Sequence, residues 1–201
     1  MLLHFFKTIE RSEKLKVEPI REKELIQECM QYLGSKSERN KIMFAIGIYT
    51  GLRIGDILRL KVKDVYHKNK IVIKQEKTER YIEIPINREL KKILNNYCED
   101  KAPTEYLIKS RVGHNHPISK DRAYKIFREM SEDLGIEGIG THSMRKTCGY
   151  HLYYSGGKDI VNVMNILGHK EPSMTLRYIG VTQDTKEKAM KKLFFFLTPP
   201  Q

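Results

Sequence analysis

Three short stretches of the sequence contain side chains that could act on a phosphate ester. Arg53 stands in TGLRIGD, His142 and Arg145 stand in THSMRKT, and His169 and Tyr178 stand in LGHKEPSMTLRY. A guanidinium is always charged and presents a planar fork of donors, which suits the charge that develops on the oxygens of a phosphorus under attack. These residue types therefore suit a site that binds and attacks a phosphate ester.

Each of these residues has an ordinary explanation when it is taken alone. An arginine at a helix end most often makes a surface ion pair, and a His-x-x-Arg pair usually lies on a solvated helix face. The chain has 7 histidines and 11 tyrosines, and most tyrosines simply pack in the fold. The hypothesis therefore depends on the joint order of the residues along the chain.

The phenol of Tyr178 is the candidate nucleophile. A phenol has a pKa of about 10, so only about one in a thousand is ionised at pH 7, and the hydroxyl needs a base or a positive field. His142 is the candidate base, and it can return the proton when a hydroxyl attacks in the reverse step. Arg53 and Arg145 would stabilise the charge of the transition state, and His169 would donate a hydrogen bond to the phosphate and help to place Tyr178.

In this order the three stretches resemble the motifs of the tyrosine recombinase (phage integrase) family, over about residues 20–185. The resemblance implies the catalytic domain of that family and a 3′-phosphotyrosine intermediate. It also implies that a lysine on a β-hairpin protonates the leaving 5′-oxygen. We choose Lys77, in the turn of the predicted hairpin, for that role. Lys74 is the second candidate, but its place inside the predicted strand favours an exposed lysine that only binds phosphate.

Two further groups of residues could support the site. Asp56 lies one helical turn after Arg53, and we expect it either to orient an arginine or the neighbouring histidine or to be a simple helix-face carboxylate. Contacts to the bases of DNA depend on a few side chains, which we expect on the helix at about 119–134. The residues that we expect to contact DNA are Lys74, Lys120, Arg122 and Lys125.

The resemblance implies a partner and an assembly. The partner is double-stranded DNA, and four protomers on two DNA sites form the working complex, while the protein in free solution can be a monomer. The expected outcome is integration, excision or inversion of a mobile element or phage. Arginines supply the charge that a metal would otherwise supply, so we expect neither a metal nor another cofactor. A topoisomerase-like enzyme and a non-catalytic DNA-binding regulator on the same fold are the alternatives.

Composition agrees with a basic, globular protein. The 201 residues suit one sizeable domain, and 40% hydrophobic with 31% charged residues excludes a chain that is disordered by composition. Lysine and arginine number 37 against 25 acidic residues, which gives a net charge of +12. Such an excess predicts a polyanionic partner. A basic membrane-surface protein or a ribosomal accessory protein shows the same balance, so charge alone leaves the function open.

The cysteines and the apolar runs indicate the compartment. Cys29, Cys98 and Cys148 are an odd number without CxxC spacing, which argues against a disulfide framework and a cysteine-rich zinc site. The start of the chain is not typical of a signal peptide, and no apolar run approaches the roughly 20 residues of a membrane span. We expect a cytoplasmic protein, bacterial or phage-encoded, without a membrane partner.

The elements that must position these residues are mostly helices. Apolar periodicity predicts one helix from Glu22 that ends at Gly34, and further helices at about 37–50, 53–59, 87–97, 119–134, 142–155 and 158–167. A short segment at 172–179 and an amphipathic run at about 185–197 follow. The β-branched runs 70–75 and 80–86 predict a β-hairpin, and about 100–118 is predicted to be a polar loop. The fold class is therefore mostly α with a small antiparallel β-sheet.

We divide the chain into an arm at 1–20, a catalytic domain at 21–185 and a C-terminal helix or tail at 186–201. Relatives usually carry a helical DNA-binding module before the catalytic domain, so the short arm predicts weaker clamping of DNA. Lys146 stands where many relatives carry a second histidine after the arginine, which should be tolerable. The apolar run at 193–197 is too apolar to lie exposed on a monomer. It either packs on its own domain or docks on a neighbouring protomer.

Overall fold

The computed structural model describes residues 17–181 and residue 190. Within them the chain is mostly helical with one two-stranded antiparallel sheet, which confirms the predicted fold class. A short 3-10 turn follows the third helix, at Val62–Asp64. In chain order the elements are α1 (Lys23–Lys36), α2 (Glu38–Thr50), α3 (Ile54–Arg59), β1 (Lys70–Lys74), β2 (Tyr81–Pro85), α4 (Arg88–Cys98), α5 (Lys120–Asp133), α6 (Thr141–Ser155), α7 (Ile160–Leu167) and α8 (Pro172–Tyr178).

Helix α2 lies at the centre of the fold and contacts α1, α3, α4 and α6. Its residues 42–47 are all buried, and a helix that is apolar on nearly every side must be enclosed by its neighbours. Gly47 allows α6 to approach closely, since a Cβ there would lie 2.4 Å from the sulfur of Met144. This contact holds Arg145, the next residue of α6, beside the end of α2.

A second, smaller apolar cluster holds α7 and α8 against α6. Its buried residues are Val163, Leu167 and Ile179. Gly149 on α6 makes the close approach possible, because a Cβ there would lie 2.7 Å from Cγ2 of Ile179 and 2.9 Å from Cδ1 of Leu167. The helix that ends at Tyr178 is therefore fitted tightly onto α6.

Several helix ends follow the sequence signals. The side chains of Asn87 and Ser119 accept backbone N–H groups in the first turns of α4 and α5, at 2.8 and 3.0 Å. Gly51 and Gly168 follow α2 and α7 with φ of 65° and 60°, where glycine is free of the steric penalty that other residues meet. These ends bring Arg53 and His169 directly after a turn of the chain.

Two local predictions need correction. Gly34 does not end the first helix: α1 continues through it to Lys36, and the chain turns only at Ser37, which has a φ of −171° and makes no side-chain cap. The segment predicted as a polar loop contains the fully buried Leu107 and Ile108, because the backbone of Leu107 pairs with Leu60 at 2.9 Å. The helix predicted within the C-terminal tail lies outside the described residues.

The described end of the arm packs on the domain. Ile20 is 2% exposed and belongs to the main core, and its N–H donates to Thr147 Oγ1 at 2.9 Å. The N–H of Glu18 donates to the carbonyl of Gly138 at 3.0 Å. Across the described residues, no helix combines the length and apolar character that crossing a bilayer requires.

Candidate active site

Arg145 is the most deeply buried of the predicted catalytic residues, with 3% of its surface exposed. Its guanidinium donates to the carbonyls of Gly51 and Leu167, so it joins the end of α2 to the end of α7. Burial lowers the pKa of Arg145, and the nearby charge of Arg53 lowers it further. A positive charge is thus concentrated where water screens it poorly.

Arg53 precedes α3 and faces the same region. Its Nη1 is buried and has no hydrogen-bond partner among the described residues. A buried donor without a partner is costly, and an anionic ligand would satisfy it. The two arginines therefore form a site that suits an oxyanion, with Arg145 held by the backbone and Arg53 open.

The rings of Tyr178 and His169 lie edge to face, with their centroids 4.9 Å apart. The hydroxyl of Tyr178 is within hydrogen-bonding reach of the Arg145 guanidinium. Burial raises the pKa of Tyr178 above 10, while Arg145 and Arg53 act to lower it. In the protein without DNA the phenol of Tyr178 is therefore neutral at pH 7, and ionising it requires a base.

The proton positions on His169 follow from Thr175. The Thr175 hydroxyl donates its one hydrogen to the carbonyl of Glu171 at 3.1 Å, so Nδ1 of His169, 3.1 Å from that oxygen, must be the donor to it. Burial, followed by the charges of Arg145 and Arg53, lowers the pKa of His169 to about 4. Nε2 consequently carries a proton only when a nearby negative charge, such as a phosphate, raises the pKa again.

His142 lines the cleft one turn before Arg145. Partial burial lowers the pKa of His142 below 6.5, and the positive charges of Arg145, Lys146, Arg53 and Lys77 lower it further. The imidazole is therefore neutral at pH 7, and its free ring nitrogen can accept a proton, as the role of a base requires.

A single cleft of about 370 Å³ is lined by four of the six predicted catalytic residues, Arg53, Lys77, His142 and Arg145. Lys77 reaches it from the exposed turn between β1 and β2, whereas Lys74, at the end of β1, is exposed and does not line it. Tyr178 and His169 do not line the cleft, but Arg145, which does, lies close enough to affect the pKa of both. The lining residues are Arg53, Ile54, Gly55, Glu76, Lys77, Lys120, Thr141, His142 and Arg145.

Asp56 is fully buried, which excludes the simple helix-face carboxylate. Its Oδ1 accepts the backbone N–H of Glu76 at 2.8 Å and pairs with Arg59 at 2.9 Å. It therefore orients an arginine, but that arginine is Arg59, the last residue of α3, and not one of the two cleft arginines. Through Glu76 it also attaches the turn that bears Lys77 to α3.

The residues expected to contact DNA do not share one surface. Lys120 lines the catalytic cleft. Arg122 lines a different groove of about 650 Å³ together with Arg39 and Arg111, and it pairs with Glu129 at 3.2 Å. Residues two apart on a helix point to different sides, so Lys120 and Arg122 would have to contact different parts of a DNA duplex.

Sequence reasoning missed two contacts at the site. Lys146 places its ammonium 5.2 Å from the ring centre of Tyr178 and donates to the carbonyl of Val17 at 2.6 Å. Glu76 places its carboxylate in the cleft against Lys120. The partners of Lys146 are distant from it in sequence, so its spacing does not indicate them. Nothing in the sequence around Glu76 indicates its partner.

The whole chain was compared with known proteins. The model of the phage integrase family matches residues 18–185. The chain is 46% identical over 175 residues to the probable integrase/recombinase YoeC of Bacillus subtilis (strain 168), covering 87% of this chain and 96% of that protein. It is 29% identical over 174 residues to a tyrosine recombinase of Pseudothermotoga lettingae, covering 84% and 58%. The chain belongs to the phage integrase family.

Solved structures show the same fold. A XerH site-specific recombinase bound to palindromic difH substrate, in a post-cleavage complex, matches with a TM-score of 0.70 at 20% identity, covering 90% of this chain and 54% of that one. XerA recombinase matches with a TM-score of 0.69, also at 20% identity, covering 89% and 67%. The chain thus spans nearly all of YoeC but little more than half of the Pseudothermotoga lettingae protein. By family it is a tyrosine recombinase catalytic domain, whose activity is DNA breaking and rejoining in site-specific recombination.

Proposed function

We propose that Tyr178 is the nucleophile that attacks the scissile phosphate of DNA. The phenol oxygen forms a bond to phosphorus, the bond from phosphorus to the 5′-oxygen breaks, and a 3′-phosphotyrosine remains. A free 5′-hydroxyl from a partner strand then attacks that phosphorus and releases Tyr178. The observation that supports this most is the placement of the Tyr178 hydroxyl against Arg145, at the edge of a cleft where Arg53 has an unpaired donor.

Protons move to and from the neighbouring side chains. His142, whose imidazole is neutral at pH 7, accepts the proton of Tyr178. Lys77, on the exposed turn, gives a proton to the leaving 5′-oxygen. His169 donates from Nε2 once the phosphate has raised its pKa, and its Nδ1 stays bound to Thr175.

The two arginines act on the charge of the transition state. The five-coordinate phosphorus has more charge on its non-bridging oxygens than the bound diester has, so fixed guanidiniums bind the transition state more strongly. Removing one such donor from an active site typically slows the chemistry by about 10²–10³-fold. Arg145 is well suited to this role because the backbone holds it in place before DNA arrives.

The working assembly that we propose is four protomers on two double-stranded DNA sites, which exchange strands through a Holliday junction. The biological outcome would be integration, excision or inversion of a mobile element or phage. The similarity to proteins named integrase/recombinase and to a recombinase structure with bound DNA substrate supports this proposal.

The test of the nucleophile is covalent capture. Nicked duplexes that tile the DNA flanking the gene are incubated with the protein, quenched with detergent and separated on a denaturing gel. We expect a protein–DNA adduct that disappears in Tyr178→Phe while DNA binding is retained. Tyr154→Phe, which changes an exposed tyrosine of α6, is the matched control and should keep the adduct.

Other outcomes of this experiment identify other functions. An adduct that persists in Tyr178→Phe would contradict the proposed nucleophile. Binding without any adduct would indicate a DNA-binding regulator. An adduct that relaxes supercoils but never exchanges strands between two sites would indicate a topoisomerase-like enzyme.

Deleting residues 190–201 distinguishes the two alternatives for the apolar run at 193–197, which are packing on its own domain and docking on a neighbouring protomer. If the run docks on a neighbour, the deletion should reduce assembly on a two-site duplex while leaving adduct formation on a single nicked site. Assembly equal to that of the full chain, measured by native gel, would show that the run is not needed between protomers.

A further inference from the structure

The carboxylate of Glu76 lies inside the cleft, although the cleft otherwise suits an anion. Both of its oxygens accept from the ammonium of Lys120, at 2.7 and 2.9 Å. The residue lines the cleft together with Arg53, Lys77 and Arg145. A negative group therefore already lies among the cationic side chains that line the cleft.

Gly55 provides the space that this carboxylate fills. A Cβ at residue 55 would lie 2.0 Å from Oε2 of Glu76, 3.0 Å from Cε of Lys120 and 3.2 Å from its Nζ. The carboxylate and the ammonium thus meet directly over the bare backbone of α3. Any side chain at residue 55 would displace one of them.

The Glu76–Lys120 pair is easy to exchange. The two side chains are 49% and 58% exposed, and exposed ion pairs add little to stability. Lys120, followed by Arg59, lowers the pKa of Glu76, so the carboxylate is charged at neutral pH. A DNA phosphate that enters the cleft would repel this carboxylate and attract the same ammonium.

We propose that Lys120, over Gly55, is a binding subsite for a DNA phosphate adjacent to the scissile one, and that Glu76 occupies this subsite in the free protein. This inference rests on the proposed function, because it needs DNA in the cleft. Glu76 acts as an internal competitor that leaves Lys120 when the duplex binds. The competition weakens binding to every duplex, whatever its sequence, because phosphate contacts are independent of base sequence.

A double-mutant cycle tests the competition. Affinity is measured by fluorescence anisotropy for a labelled 30-base-pair duplex of arbitrary sequence, at fixed low salt. The variants are Glu76→Gln, Lys120→Gln and the double variant. Glu83→Gln is the matched control, because Glu83 lies on the same hairpin and forms an exposed pair with Lys70 at 2.6 Å.

We expect Glu76→Gln to tighten binding by about ten-fold and Glu83→Gln by about two-fold, since the control reports only the loss of one negative charge near a polyanion. In the Lys120→Gln background the effect of Glu76→Gln should fall to that of the control. Equal effects of Glu76→Gln and Glu83→Gln would overturn the proposal. An effect that is unchanged in the Lys120→Gln background would overturn it as well.

Adduct formation on a saturating nicked duplex separates this inference from the proposed function. Competition for phosphate changes the affinity, so the effect of Glu76→Gln should appear in the duplex concentration that gives half-maximal adduct formation. Glu83→Gln, which lies outside the cleft, should keep the saturated rate within about two-fold of the wild type. A large loss of the saturated rate in Glu76→Gln without tighter binding would show instead that Glu76 positions Lys77. Adducts that form normally while the cycle shows no coupling would refute the subsite alone. Absence of both adducts and DNA binding in the wild type would refute the subsite and the proposed function together.

Discussion

At the scale of single residues, the site combines one guanidinium that is held by backbone carbonyls with another that has an unsatisfied donor. Arg145 has two carbonyl partners, whereas Nη1 of Arg53 has none among the described residues. The pKa values of His142 and His169 are both lowered. The site is therefore strongly positive through its arginines, and its histidines remain neutral until a phosphate arrives.

The pKa of His169 leads to a prediction about stability in the free protein. Its native pKa is about 4, below the ordinary 6.5, so the unfolded chain takes up the proton first as the pH falls. The stability that the neutral ring contributes is complete above pH 6.5 and is lost progressively toward pH 4. We expect the Tm of the wild type to fall across this window, and to fall less in His169→Gln. Parallel Tm curves for the two proteins would contradict the lowered pKa.

At the scale of elements, the position of the nucleophile depends on how α6 meets α7 and α8. Gly149 is the point of closest approach, beneath Leu167 and Ile179. Ile179 directly follows Tyr178, so a shift of one moves the other. The position of Tyr178, the proposed nucleophile, is thus set by packing one turn beyond Arg145 on the same helix.

Gly149→Ala should consequently reduce adduct formation much more than DNA binding. Overpacking a core typically costs about 1–3 kcal/mol, and part of the response would be a displacement of α8 with Tyr178. Single-turnover adduct formation and duplex affinity are the measurements. Gly34→Ala is the control, because Gly34 lies inside α1 and a Cβ there meets only the flexible side chain of Lys41, at 3.2 Å. A Gly149→Ala protein with wild-type cleavage would show that α8 is not placed by this contact.

The sequence predicted these elements to the extent that their signals are local. The caps at Asn87 and Ser119 and the glycine after α2 depend on neighbouring residues, and they are where the sequence indicated. Gly34 misled the prediction because a glycine within a helix costs only about 1 kcal/mol, which tertiary packing exceeds. The partners of Glu76, Asp56 and Lys146 depend on how distant segments pack, so spacing along the chain does not reveal them.

At the scale of the whole molecule, the described chain has two apolar clusters of unequal size. The main core surrounds α2, and the second cluster has Val163, Leu167 and Ile179 at its centre. Arg145 joins the end of α2 to Leu167 of the smaller cluster through its two carbonyl partners, while Tyr178 packs against the smaller cluster. A small cluster buries less apolar surface and opens at a lower free energy.

Hydrogen exchange should report this difference. We expect the amides of α7 and α8 to exchange by local opening, well before the amides of α2, in the protein without DNA. Exchange measured by mass spectrometry at several denaturant concentrations would separate local from global opening. Equal protection of the three helices would show instead that both clusters unfold as one unit.

The hydrogen bond from Lys146 to Val17 has a mechanical consequence. The ammonium that contacts the ring of Tyr178 also holds the carbonyl of the chain segment entering the domain. Ile20, three residues further on, is anchored to Thr147, the residue after Lys146 on α6, so force applied at Val17 reaches α6 at two adjacent residues. Tension in that segment would therefore be transmitted through Lys146 to the ring of Tyr178.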